Sequence, residues 1–234
     1  NFFNYENNCE KIIEDEFNFS KNTINNIKYN IHINKNSNIE HNIFQNFSNS
    51  NKLFLTSDTV CETKSSFIQN TYNFAEGFVR NFHSATLEGE FSQASLKGCF
   101  FLKDRNICTN KTYISHNSEN CESTQIYKGI LNDFSKANYF SNTFVSKDAQ
   151  KTEGYQLSKG ILLTDNCSFF SKPELRIYAD DVKCSHGSTI GPVDESALYY
   201  LRSRGIDKNQ AMKMIIASFI EEDLKYLDVK NTSK

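Results

Sequence analysis

From about residue 75 to residue 190 the chain offers one short strand after another, without the dipeptides that close tight hairpins. "ASLKGCFFL" alternates from Ala94 through Leu96. "ELRIYAD" sets Leu175, Ile177 and Ala179 on one face and Glu174, Arg176 and Tyr178 on the other. An extended backbone points successive side chains to opposite sides, so a period of two marks half-buried strands. The breaks between strands, "LEGE", "LKDRN", "LNDFSKAN" and "LTDNCS", form turns but contain no Asn-Gly or Asp-Gly. Two architectures suit such a series: a β-sandwich and a parallel β-helix. The favoured hairpin turns of a sandwich need those dipeptides. A solenoid stacks strands from successive coils and needs no hairpin, so the pattern favours it.

Residues 1–74 blur this pattern. Asn, Ser, Lys, Ile and Phe dominate, as in "INNIKYNIHINKNSNIEHNIFQNFSNSNK". Polar Asn-rich tracts bury little surface and suit disorder. "KYNIHI" and "KLFLTS" nevertheless keep strand-forming residues. The expectation is irregular strands with long turns, a degenerate start to the solenoid whose core occupies 75–191. N-x-S/T triplets such as Asn18 to Ser20 arise by chance in so Asn-rich a chain.

The period changes again over 192–234. Asp194 can N-cap a helix through "ESALYYLRSR", and Gly205 can end it. Asp207 with Gln210 resembles a capping box for a second helix, "KNQAMKMIIASFIEEDLKYL". Ala211, Met214, Ile215, Ser218 and Phe219 share one face of that helix. Two helices joined by Gly-Ile-Asp invite a helix-turn-helix reading. The second helix carries Glu221, Glu222 and Asp223 instead of a basic face, which argues against DNA and for packing or partner docking.

Composition narrows the function classes. The 234 residues allow one large domain or one with an appendage, and the net charge is −2. No clustered basic excess marks a nucleic-acid partner, and no apolar run approaches membrane-spanning length. The opening "NFFNYENNCEKIIEDEF" has no signal-peptide pattern, and a start at Asn1 suggests a piece of a longer chain. The seven cysteines, Cys9, Cys61, Cys99, Cys108, Cys121, Cys167 and Cys184, are scattered and include no C-x-x-C. Buried reduced thiols suit them better than a zinc ribbon or a disulfide framework. There is no Walker A loop, no G-x-S-x-G and no H-E-x-x-H, so the chain is not read as an enzyme. A solenoid acting on carbohydrate would need clustered carboxylates on one face, and only Asp180-Asp181 comes near. A purely structural solenoid is the other alternative.

The densest chemistry lies in "YADDVKCSHGSTIG", Tyr178 to Gly191. On a strand, Cys184 and His186 point to one face, roughly 6.5 Å apart. Thiolate and imidazole both suit iron, but a cluster usually takes four ligands, so this pair is at most half a site. Alternatively, Cys184 packs inward and His186 caps a strand end. Asp180 and Asp181 suit a coil corner better than an acid–base pair. His116 and Cys121 read as structural, and His32, His41 and His83 as surface or turn residues.

"ELRIYADDVKCSHGSTIG" followed by "DESALYYLRSRGI" resembles the C-terminal signature of the SufD family, scaffold subunits of the SUF iron–sulfur cluster assembly system. Lys172-Pro173 and Ala179 to Gly187 keep the family pattern, with departures at Ser188 and Pro192-Val193. Upstream, "SHNSENCESTQIYKGIL" and "DAQKTEGYQLSKGILL" resemble further family segments in family order. The paralogous SufB pattern has Gln-Cys-Asp where this chain has Gln156-Leu157-Ser158, and differs again over Cys184 to Thr189. The resemblance spans about residues 75–227. It implies a mainly β fold, a right-handed parallel β-helix with a small C-terminal α-helical domain. The implied partners are a SufB-like paralogue, met through the β-helix ends, and the ATPase SufC. SufC would dock on the helices, with Leu201, Arg202, Arg204, Met214, Ile215 and Phe219 as contacts. A transient iron–sulfur cluster would form at the SufB interface, with His186 as this subunit's contribution and Cys184 beside it. No cofactor would be stably bound by this chain alone. The Asn-, Lys- and Ile-heavy composition suggests an AT-rich genome, and with the resemblance a plastid of apicoplast type; a cytoplasmic location is the alternative.

Overall fold

The computed structural model describes residues 1–20, 22–48 and 51–221. Its strands alternate between two sheets of seven. The odd sheet holds β1 (Phe2–Tyr5), β3 (Ile24–Ile33), β5 (Asn51–Cys61), β7 (Gly77–Leu87), β9 (Ile107–His116), β11 (Lys136–Val145) and β13 (Ser168–Ile177). The even sheet holds β2 (Glu10–Phe17), β4 (Asn38–Gln45), β6 (Ser66–Asn73), β8 (Gln93–Leu102), β10 (Glu122–Leu131), β12 (Thr152–Leu162) and β14 (Val182–Pro192). Pairing is parallel from β1 to β13 and from β2 to β12. Each coil crosses from one sheet to the other, which makes a parallel β-solenoid. Two helices follow, α1 (Glu195–Ser203) and α2 (Lys208–Glu221). The chain divides into two compact units, 1–190 and 191–234. No helix among the described residues is long and apolar enough to cross a membrane.

The turns explain why hairpin dipeptides are missing. A left-handed residue recurs at the corners: Asn8, Asn36, Asn120, Asp104 and Asp133 all have φ between 55° and 58°. Asn and Asp tolerate this region better than other side-chain-bearing residues. The Asn-rich first third therefore has a structural use for its asparagines. Irregular strands with long turns were expected there. Instead, residues 1–74 hold β1 to β6 in the same two sheets as the rest. Asn51 also ties neighbouring coils together, its Oδ1 accepting from Thr23 N at 2.9 Å.

Between the sheets lies a core that is apolar in part and polar in part. Tyr29, Ile33, Leu53, Phe67, Phe100 and Tyr139 are almost fully buried. Tyr127 stacks on Tyr139 at 4.4 Å, and the space it needs comes from Gly98, where a Cβ would lie 2.3 Å from the Tyr127 ring. Buried amides satisfy one another across coils: Gln45 Nε2 donates to Asn81 Oδ1 at 2.8 Å, and Asn81 Nδ2 to Asn110 Oδ1 at 2.9 Å. Such ladders are what a buried amide requires.

His41 and His83 were expected on the surface or in turns; both are in the core at 0% exposure. The inward period of β4, Ile39, His41, Ile43 and Gln45, carries His41 inside. Its Nε2 lies 2.8 Å from Asp15 Oδ2. His83 occupies the same face of β7 as Val79 and Ala85, with Gln69 Nε2 2.8 Å from its Nδ1. In each case a polar partner inside the coil replaces the water that the sequence reading assumed.

Candidate functional site

β13 and β14 are the last strands in their sheets, so each carries an edge without a strand partner among the described residues. β14 bears the candidate pair. Cys184 is half-buried and packs against a small apolar cluster of Val145, Ala149 and Ala179. Its sulfur fits because the residue beneath it is Gly154, where a Cβ would lie 3.1 Å from Sγ. Burial raises the Cys184 thiol above its ordinary range, partly offset by a hydrogen bond to the Gly154 backbone. At neutral pH it is therefore a protonated thiol, and metal binding would have to displace the proton. His186 follows two residues later and is exposed. The alternation of the strand puts the two side chains on the same side. Gly187, next in line, would meet only Leu157 Cδ1 at 3.4 Å if it carried a Cβ.

The surrounding groups are structural. Asp181 holds the coil corner through its backbone, its carbonyl accepting from Lys151 N at 2.6 Å and its N–H donating to Gln150 Oε1 at 2.9 Å. Lys183 pairs with Glu153 at 2.6 Å, one coil down. His116 is buried with its Nε2 2.8 Å from Ser123 Oγ. Cys121 is buried beside Ser92 Oγ and Gly89 O. Burial pushes the thiols of Cys61, Cys99 and Cys108 up to about 12, which leaves them inert at neutral pH. No group of three or more His, Cys, Asp or Glu among the described residues is arranged to hold a metal ion.

The helical unit is built by its caps. Asp194 Oδ1 accepts from Ser196 N at 2.9 Å and Ala197 N at 3.3 Å, which starts α1. Hydrogen bonding to the Ser196 side chain, then to these backbone groups, holds the Asp194 carboxyl below its usual range. Gly205, with φ of 87°, takes the chain out of α1. Asp207 Oδ1 accepts from Asn209 N and Gln210 N at 2.9 and 3.0 Å, which starts α2. Of the expected contact residues, Leu201, Ile215 and Phe219 are half-buried, while Arg202, Arg204 and Met214 are exposed. Arg204 lies over the Tyr200 ring at 5.3 Å. Residues 222–227 of the expected second helix, Glu222 and Asp223 among them, lie outside the described residues.

Sequence reasoning missed the His41–Asp15 and His83–Gln69 pairs. The inward period of "NIEHNIFQ" was the available signal.

Residues 5–219 match the SUF system FeS cluster assembly, SufBD core domain. The iron-sulfur cluster assembly protein SufD of Escherichia coli is 32% identical over 169 residues, 72% of this chain and 40% of its own length. An iron-sulfur cluster assembly SufBD family protein of Synechocystis is 31% identical over 139 residues, 59% of this chain and 31% of its own. Protein ABCI7, chloroplastic, of Arabidopsis thaliana is 41% identical over 101 residues, 43% of this chain and 21% of its own. The matched region thus spans less than half the length of each of these relatives. With its parallel solenoid and its match over nearly the whole sequence, the chain belongs to the SufBD family of SUF-system iron–sulfur cluster assembly proteins.

Proposed function

We propose that this chain is a SufD-like scaffold subunit that pairs with a SufB-like paralogue and is served by a SufC-type ATPase. The observation that carries the reading is His186, exposed on the last strand of the even sheet beside the half-buried Cys184. An imidazole and a thiol cannot complete a cluster, so the remaining ligands must come from another chain meeting this edge. The iron–sulfur cluster is then cargo formed at that interface, not a group resident in this protein. In this reading the chain positions ligands and performs no catalytic step of its own. The helices, with Met214, Arg202 and Arg204 exposed, offer the docking surface for the ATPase. A plastid location is supported by the chloroplastic relative in its name and by the Asn-, Lys- and Ile-heavy composition.

Anaerobic co-purification with SufB and SufC, followed by iron and acid-labile sulfide analysis, tests the reading. The expected result is a defined complex of all three that holds iron and sulfide. A chain that elutes apart from both partners overturns it.

A further inference from the structure

The sequence shows no clustered basic excess, and its net charge is −2, yet the outer face of the odd sheet is basic. Period two sends Lys52, Arg80, Lys111, Lys136 and Lys172 to that face from five successive strands, β5 to β13. None of the five has a carboxylate within ion-pair distance among the described residues. The carboxylates that the sheet's strands place there, Asp58 and Glu174, are already paired with Lys28 and Arg176. At about 4.8 Å between strands, the unpaired cations extend over roughly 19 Å.

Aromatic side chains run among these cations. Phe82 is 37% and Phe170 54% exposed. A shallow groove is lined by Phe82, Lys111, Tyr113, Phe140, Lys172 and Glu174. Cations and rings on an open sheet also suit single-stranded nucleic acid, whose bases stack on ring faces. Here the central ring of the groove, Phe140, is already engaged. Lys111 Nζ sits 5.2 Å over the Phe140 ring, and Phe140 and Phe170 are tilted against each other by 54° at 5.8 Å. Phe54 and Phe78 are tilted likewise, by 44° at 5.6 Å. What remains open is apolar ring surface on Phe82 and Phe170 beside ammonium and guanidinium groups that have no ion-pair partner among the described residues.

We propose that this face docks an acidic, aliphatic-bearing segment of a partner protein, with carboxylates on Lys111, Lys136, Lys172 and Arg80 and apolar side chains in the groove between Phe82 and Phe140. The proposal stands apart from the assembly role, since it uses neither β14 nor the helices. Complementary charge sets the encounter and its salt dependence, and the buried ring edges set the residence time.

The test is fluorescence anisotropy of a labelled peptide of alternating glutamate and leucine, long enough to cross β5 to β13, titrated with the full chain. Saturable binding that weakens as salt is raised is expected. Lys111→Glu with Lys172→Glu should weaken it by about tenfold or more, as should Phe82→Ser. Lys147→Glu, an exposed lysine on the turn after β11, should leave it unchanged. Circular dichroism checks that each variant folds, and Lys172→Gln alone supplies a milder variant that should still weaken binding. No binding, unchanged affinity in the double variant, or tighter binding of an oligothymidylate than of the peptide overturns the proposal.

Discussion

His186 and Cys184 are neighbours on one face of β14 but differ in what their loss removes. His186 is exposed and holds little packing, whereas Cys184 fills the space above Gly154 and touches the Val145, Ala149 and Ala179 cluster. On the proposed reading, His186→Ala leaves the melting curve and complex formation unchanged and cuts the cluster yield of the assembled complex severalfold. Iron and sulfide content per complex measures this, and a full yield would count against the assignment. Cys184→Ser then separates shared chemistry from packing: a similar loss of yield makes the two residues one site. An unchanged yield with a small fall in stability leaves Cys184 structural. The spacing and chemistry of this pair were legible in "KCSHG". The exposure of one member and the half-burial of the other were not, because both depend on what lies one coil below.

At the scale of elements, the helix caps were readable because capping is local. Asp194 and Asp207 each bond to backbone N–H groups within three residues. The corners were only half readable. Turn composition placed them, but the left-handed conformation extends to Lys64, Phe91 and Lys151, with φ of 57°, 60° and 56°. Those residue types do not announce it; neighbouring coils hold the strand ends in place and fix the corner between them. The helices also carry their own prediction. Truncation after Gly191 removes α1 and α2 while leaving the whole of the solenoid unit, 1–190. It should abolish binding of the SufC-type ATPase and keep the β-rich circular dichroism spectrum. A retained affinity, measured by pull-down or calorimetry, would move the docking surface elsewhere.

Across the whole molecule, the polar core couples stability to pH. Burial, with His41 nearby, depresses the His83 pKa to about 3, and burial brings His116 to about 4. Unfolded, both would take up protons near pH 6.5. Between those limits the unfolded state binds more protons, so stability rises with pH there. It is full above about pH 6.5 and is lost as the pH falls towards 3. The urea midpoint should therefore drop between pH 7 and pH 5. His83→Gln, which keeps an amide for Gln69 to bond, should flatten part of that slope. Equal slopes in the two proteins would show that His83 does not carry it.

The sequence by itself determined the strand periodicity, the lack of hairpins and the two capped helices, all of which depend on residues close together in the chain. It also carried the family's motifs in order, the C-terminal signature among them. Tertiary structure alone decided which polar residues are interior. His41 and Asn81 are inside only because strands about one coil apart in sequence close around them, with hydrogen bonds spanning 26 to 36 residues. It alone also gathered five unpaired cations onto one face of a chain whose net charge is negative. Side chains roughly thirty residues apart become neighbours only when a parallel register stacks their strands about 4.8 Å apart.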